Sequence, residues 1–320
     1  MKFKALFSFL NNELSIIEQE LEKTAVSEYP LIKEANLELL QAGGKRIRPA
    51  FVLLSSMFGD FDIHKVKHVA VALETIHMAS LVHDDVIDDA QLRRGKPTVK
   101  SKWDNRIAMY TGDYLLARSL EVMTNVKDPL AHKILSNAIV EVCLGEIEQI
   151  KDKYDVDQSF RTYLKRIKRK TALLIAVSCQ LGALSAGAPE EIHRKLYWFG
   201  YYVGMSFQIT DDILDFTATE KELGKPVGGD LLQGNITLPV LYAREIPGFK
   251  SRLESISIHT KQEEMKPILD VIQNSGVIDK SVTVSDMYLQ KAFDILETLP
   301  KNKARSTLYS IAKYIGKRKF

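Results

Sequence analysis

Apolar residues recur at three- and four-residue intervals through nearly the whole chain, while alternating, β-branched, turn-bounded runs are scarce. A chain patterned this way must bury one face of helix after helix, so the pattern predicts an all-α helical bundle. The longest expected helices cover His64 to Asp89, Pro129 to Lys153, Phe160 to Ala186 and Pro189 to Phe216; shorter ones include Phe7 to Val26, Pro30 to Gln41 and Pro49 to Phe58. Pro49, Pro129 and Pro189 each fall where a first helical turn accepts proline, and Gly187 stands just past an expected C-terminus. No Ser/Gly linker, low-complexity tract or internal repeat interrupts the pattern, so one domain over residues 1–320 is expected.

Charge narrows the partners. Lys and Arg number 44 against 41 Asp and Glu, a net +3, so there is no whole-protein basic field of the kind nucleic-acid binders use. Any anion site must be local. The two cysteines, Cys143 and Cys179, sit singly in apolar runs with no CxxC pair, which argues against a disulfide scaffold or a zinc site and fits a reducing cytoplasm. The uncharged run Thr171–Ala188 is near the lower limit for a membrane span, but Ser178, Gln180, Gly182, Ser185 and Gly187 make it a closely packed buried helix. The apolar N-terminal run is short, ends at Asn11-Asn12-Glu13 and lacks a small-residue cleavage site, so it reads as an amphipathic helix.

Chemistry concentrates in two places. His83-Asp84-Asp85-Val86-Ile87-Asp88-Asp89 and Gln208-Ile209-Thr210-Asp211-Asp212-Ile213-Leu214-Asp215 each place Asp-Asp-x-x-Asp at the end of an apolar helical run. Like charges four residues apart cost roughly a few tenths of a kcal/mol per pair, and acidic residues near a helix C-terminus meet the negative end of its dipole. A bound cation would offset both penalties. His77, Asp84 and Asp88 share one helical stripe, and Gln208, Asp211 and Asp215 share another. If the stripes face one cleft, the donors are all hard oxygens without clustered His or Cys, which favours Mg²⁺ over Zn²⁺. Three connections combine glycine with cations: Gln41-Ala42-Gly43-Gly44-Lys45-Arg46-Ile47-Arg48-Pro49, Leu92-Arg93-Arg94-Gly95-Lys96-Pro97 and Leu223-Gly224-Lys225-Pro226-Val227-Gly228-Gly229-Asp230. Such loops suit phosphate oxygens, and with Mg²⁺ they suit a diphosphate. No Walker A loop, GxGxxG or catalytic-serine motif is present.

In this order the motifs resemble those of the trans-polyprenyl diphosphate synthases. The likeness is carried by Gly43–Pro49, Glu74-Thr75-Ile76-His77, His83–Asp88, Arg93–Thr98, Lys170-Thr171, Gln208–Asp215 and Gly224-Lys225-Pro226, and it spans about Gly43 to Pro239. It implies a helical bundle of the isoprenoid synthase type with a central cleft, and Mg²⁺-dependent condensation of isopentenyl diphosphate with an allylic diphosphate, farnesyl or longer. The implied product is a long all-trans polyprenyl diphosphate, heptaprenyl for menaquinone. The resemblance assigns Lys45, Arg48, His77 and Arg94 to isopentenyl diphosphate, and Arg93, Lys170, Thr171, Gln208 and Lys225 to the allylic substrate. It makes Asp84, Asp88 and Asp211 metal ligands, with Asp85, Asp212 and Asp215 as catalytic supports. Within the family the likeness is to catalytic components that form a heterodimer with a smaller, non-catalytic one. One departure stands out: many relatives carry Lys where this chain has Asn235.

Ala79 and Ser80, five and four residues before Asp84, are small where short-chain relatives tend to place an aromatic floor, which implies a product longer than farnesyl. Two other readings compete. An HD-type metal phosphohydrolase would use His64, His68, His77 and the His83-Asp84 pair but leaves Asp211–Asp215 and the cationic loops unexplained; a non-catalytic helical partner subunit predicts decayed motifs, whereas both clusters are intact. The six cations between Arg161 and Lys170 read as a solvated helix face, Lys170 excepted, and the aromatic group Tyr197-Trp198-Phe199 reads as core or interface. The tail Lys313–Phe320 reads as a frayed basic end, with contact to phosphate in a closed cleft and transient contact to an acidic membrane surface as its two other readings.

Overall fold

The computed structural model describes residues 3–93, 95–219 and 226–317. Arg94 and Lys225, both expected to bind diphosphate, lie outside the described residues, as does the end of the basic tail. The fold is all-α. After a 3₁₀ segment over Phe3–Leu10, the helices are α1 (Asn11–Ala25), α2 (Pro30–Gln41), α3 (Ile47–Ser56), α4 (Ile63–Ile87), α5 (Val99–Lys102), α6 (Asn105–Met123), α7 (Pro129–Lys151) and α8 (Phe160–Ile167). They continue with α9 (Leu173–Ser185), α10 (Glu190–Thr217), α11 (Gly229–Leu232), α12 (Leu238–Ala243), α13 (Lys250–Glu254), α14 (Lys266–Asn274), α15 (Val277–Glu297) and α16 (Lys303–Gly316). The only strands among the described residues form a two-by-two hairpin, Leu92–Arg93 against Lys96–Pro97.

Local chemistry explains the boundaries. The Asp62 carboxylate accepts the His64 N–H at 2.9 Å and starts α4; Asp104 accepts from Ile107 at 2.8 Å and Ser159 from Thr162 at 3.0 Å, starting α6 and α8. Gly187 has φ +69, a left-handed turn that ends α9 as its sequence position suggests. Two features differ from the expected helices. The first helix is broken, because Phe7 leaves helical geometry (φ −131, ψ 31) before α1 begins. The long run expected from Phe160 is likewise not one α-helix: Lys168–Ala172 forms a π-helical turn between α8 and α9.

Backbone contacts group the chain into two compact units. The first comprises Met1–Ser136, Val177–Tyr197 and Leu299–Ser310. Its core draws on Phe51, Leu53, Leu54, Val69, Leu73, Val82 and Leu115, all essentially buried. The helices here approach closely where side chains are smallest. A Cβ on Gly182 would stand 2.3 Å from the Val52 carbonyl oxygen and 2.8 Å from its Cα, and one on Gly112 would strike the His83 ring. The second unit comprises Asn137–Ala176, Trp198–Thr298 and Ile311–Phe320. Its core joins Tyr163, Ile167, Met205, Ile209 and Phe216 to Leu238, Val240, Met265 and Ile272. Among the described residues no helix is long and apolar enough to cross a membrane. Thr171–Ala188, the one run considered for that role, is divided between the π turn and the buried helix α9.

The Gly182 contact is with backbone, which cannot rotate away. Gly182→Ala is therefore expected to lower stability by about 1–3 kcal/mol, read as a lowered midpoint in thermal unfolding followed by circular dichroism.

Candidate active site

In the first unit the aspartate cluster forms the end of α4. Asp88 is its C-cap, with its N–H on the Asp84 carbonyl at 2.8 Å, and the Ala90 N–H closes back on Asp85 O at 2.9 Å. Asp84 and Asp88 are half-buried, whereas Asp85 is only 2% exposed. Burial raises the Asp85 carboxyl above the ordinary carboxylate range, against the opposing pull of Arg93, whose Nε and Nη2 both reach Asp85 Oδ1, at 2.8 and 2.7 Å. Arg93 thus anchors the cationic hairpin to the acidic helix end. Further ties hold the same turn. Asp89, left-handed at φ 52, pairs with the buried Lys100; Thr98 Oγ1 donates to Ala90 O at 2.7 Å; and Lys96 Nζ reaches Gln41 O at 3.1 Å.

The first glycine-rich loop is fastened by its middle cation. Arg46, at φ 49, sends Nε and Nη2 to Glu18 (2.5 and 3.1 Å) and Nη1 to the buried Glu74 (3.2 Å). Arg46 is therefore a structural tie, and Lys45 and Arg48 flank it, the former exposed and the latter half-buried. His77 lies two turns before Asp84 and is also half-buried.

In the second unit α10 carries the other cluster. Asp212 is 3% exposed and accepts two hydrogen bonds, from Tyr163 Oη at 2.7 Å and Gln208 Nε2 at 2.8 Å. Burial first, then the nearby Asp230, pushes its carboxyl up to about 7. Asp215 is buried as well; its Oδ2 accepts the Asp230 N–H at 3.1 Å and its carbonyl the Gly228 N–H at 2.8 Å, so it ties α11 to the end of α10. Asp211 is the half-buried member. Thr171 Oγ1 donates to Gln208 Oε1 at 2.5 Å, and Lys170 Nζ reaches Gln149 Oε1 at 3.0 Å and Glu146 Oε2 at 3.4 Å. The π turn and Gly204 make this pairing possible, since a Cβ on Gly204 would stand 2.5 Å from Ala172 Cα. Asn235 donates its backbone N–H to Asp230 O at 2.8 Å.

Several of these partners are invisible to motif reasoning. Tyr163, Gln149, Glu146 and Asp230 hold the predicted residues Asp212, Lys170 and Asp215, and Glu18 and Lys100 tie the neighbouring Arg46 and Asp89, yet every one of these partners lies outside the motif it supports. The reading of Arg161–Lys170 as a solvated face needs correction at two positions. Arg166 is buried and donates to Gln158 Oε1 at 2.9 Å and Ile236 O at 2.5 Å; Arg169, also buried, pairs with Glu141 at 2.9 Å and Glu148 at 2.6 Å. Positively charged side chains are buried here because each faces acceptors that replace water.

The donor chemistry suits a hard divalent cation. Both clusters offer carboxylate oxygen alone, and in each a buried member is held by a neighbouring donor while half-buried members remain beside it. Among the described residues no three His, Cys, Asp or Glu side chains are gathered into a ready-made cage. Mg²⁺ needs none, because it commonly takes one or two carboxylates plus water and substrate phosphate. The histidines of the phosphohydrolase reading do not converge: His64 and His83 sit near opposite ends of α4, about 28 Å apart at 1.5 Å per residue. His83 instead faces Met109 O (3.2 Å) and Asp113 (3.3 Å).

Comparison with known proteins agrees with this chemistry. The polyprenyl synthetase family model matches residues 29–274. Heptaprenyl diphosphate synthase component 2 of Bacillus subtilis (strain 168) is 70% identical over 320 residues, covering 100% of this chain and 92% of that protein. The crystal structure of heptaprenyl diphosphate synthase from Staphylococcus aureus superposes with a TM-score of 0.93 at 48% identity, covering 97% of this chain and 98% of that one. A polyprenyl synthase from Caulobacter crescentus CB15, complexed with calcium and isoprenyl diphosphate, gives a TM-score of 0.94 at 30% identity, covering 99% and 98%. With two intact aspartate clusters, an all-helical fold of the isoprenoid synthase type and this likeness along its length, the chain belongs to the polyprenyl synthetase family and is a trans-prenyltransferase.

Proposed function

We propose that residues 1–320 act as one polyprenyl synthase domain that adds isopentenyl diphosphate to an allylic diphosphate, farnesyl or longer, and makes heptaprenyl diphosphate for menaquinone. The observation that carries this reading is the full-length 70% identity to a heptaprenyl diphosphate synthase component with both Asp-Asp-x-x-Asp clusters intact. Asp84, Asp88 and Asp211 would hold Mg²⁺, with the buried Asp85 fixing the end of α4 and the buried Asp212 and Asp215 fixing the end of α10. Bound Mg²⁺ would neutralise the allylic diphosphate and ease its departure. Arg93, Lys170 and Lys225 bind that diphosphate from the protein side, while Lys45, Arg48, His77 and Arg94 hold isopentenyl diphosphate. Thr171 and Gln208 turn polar atoms toward the allylic carbon as it becomes positive. The released diphosphate takes the proton lost after carbon–carbon bond formation, so no side chain need act as base.

Two further features extend the reading. Val140, Cys143, Leu144, Ile147 and Ile150 form an apolar stripe on α7 that faces solvent, with Val140 58% and Ile147 61% exposed. This supports association with a smaller, non-catalytic component, in keeping with the Bacillus subtilis relative's designation as component 2. Two free cysteines support a cytoplasmic setting, where the basic C-terminus would touch membrane only transiently during release of an oily product.

Incubation with farnesyl and isopentenyl diphosphates, Mg²⁺ and the smaller component is expected to give heptaprenyl diphosphate, and EDTA to abolish it. Asp84→Ala and Asp211→Ala are each expected to lower kcat by about 10³-fold or more; formation of no prenyl product by the wild type with or without the partner would end the proposal. Chain length supplies a separate check. Ala79 is buried and Ser80 half-buried, its hydroxyl on His77 O at 2.8 Å. Ala79→Phe or Ser80→Phe is expected to shorten the product, and an unchanged length on thin-layer chromatography would refute the small-residue argument. For the partner surface, Ile147→Glu should weaken association with the smaller component at least about tenfold in sedimentation analysis, without shifting the thermal midpoint of the isolated chain; unaltered association would exclude the α7 stripe as the contact.

A further inference from the structure

We infer that Tyr163 is a positioning residue for prenyl transfer: through Asp212 and Gln208 it sets the direction in which Thr171 points its hydroxyl proton. The inference rests on the assignment of Thr171 and Gln208 to the allylic side made above. Tyr163 is fully buried, and its Oη lies 2.7 Å from Asp212 Oδ2. Its ring is confined by the Arg166 guanidinium 5.7 Å away, which is itself tied to Gln158 and Ile236.

Donor and acceptor inventory does the rest. Asp212 Oδ1, 2.8 Å from Gln208, must meet the amide nitrogen, because a second acceptor there would repel it. That orientation turns Gln208 Oε1 toward Thr171, 2.5 Å away, and a carbonyl oxygen only accepts. The single Thr171 proton is therefore committed to Gln208, and its oxygen shows lone pairs in its remaining directions. Lone pairs attract a developing allylic cation, whereas an O–H aimed at it repels. Tyr163 acts through geometry: by donating to Oδ2 at 2.7 Å it fixes the carboxylate so that Oδ1 is the oxygen presented to the Gln208 amide. The π turn at Lys168–Ala172 and the absent side chain at Gly204 bring Thr171 to the end of this relay.

The test is a double-mutant cycle in the complete Mg²⁺-loaded enzyme with its smaller component, reading kcat and the KM of each diphosphate. Tyr163→Phe removes only the hydroxyl and is expected to lower kcat about tenfold with both KM values within about twofold. In a Thr171→Val background the same change should alter kcat less than about twofold, because the relay has lost its end. If the two losses multiply instead, Tyr163 acts by general stabilisation and the inference fails. If Thr171→Val alone leaves kcat unchanged, the assignment of Thr171 fails, and the relay with it. Should Tyr163→Phe not fold, 3-fluorotyrosine placed at position 163, which keeps the ring and alters only the phenol, serves in its place: the change in kcat it causes should likewise vanish in the Thr171→Val background, and an additive change would overturn the relay.

Discussion

Carboxylates held in water-poor surroundings at helix C-termini are the constraint around which this protein is built. Asp85, Asp212 and Asp215 are almost completely shielded, and each is placed where the helix dipole already disfavours negative charge. Every one has been given donors. Arg93 grips Asp85, Tyr163 and Gln208 grip Asp212, and the Asp230 N–H meets Asp215. Their neighbours Asp84, Asp88 and Asp211 are less buried, and it is to these that the proposed function assigns the metal. Burial thus differs within each Asp-Asp-x-x-Asp motif: the shielded residues are held by protein donors and stiffen the helix end, while the others are only partly covered.

The same economy governs the cations. Of the Lys45, Arg46 and Arg48 trio, the one buried against two glutamates is structural. Between Arg161 and Lys170, Arg166 and Arg169 are consumed by internal acceptors. Lys170 sits beside Gln149 and Glu146, a lighter hold that leaves its charge near the surface of the π turn. Charge count therefore says little about ligand binding until each cation's partners are known. Arginine suits the interior roles because its planar fork satisfies two acceptors at once.

Much of the candidate site was legible as sequence: both aspartate motifs and the glycine-rich loops are contiguous and their residue types suit hard-metal and phosphate chemistry, whereas Lys170-Thr171 stood out only through the family resemblance. The helical periodicity was equally plain: α2 begins and ends where its pattern does, at Pro30 and Gln41, because proline starts it and a Gly-Gly pair follows it. What escaped were the supporting side chains. Tyr163 looks like an ordinary core aromatic and Arg169 like one more surface cation, and nothing near either in sequence names its acceptor. The π turn escaped as well, because it costs one extra residue per turn and leaves the apolar pattern almost undisturbed.

Sequence alone thus determined the class of structure and the class of reaction: periodicity is a property of neighbours along the chain, and so is a motif that a metal or a diphosphate can recognise. Tertiary structure decided which aspartates are buried, which arginines are spent internally, and how the Thr171 hydroxyl is oriented. Those outcomes depend on desolvation and on hydrogen-bond partners dozens of residues away, such as the Gln208 that meets Thr171 and the Tyr163 that meets Asp212. Only a folded chain brings such groups within 3 Å of one another.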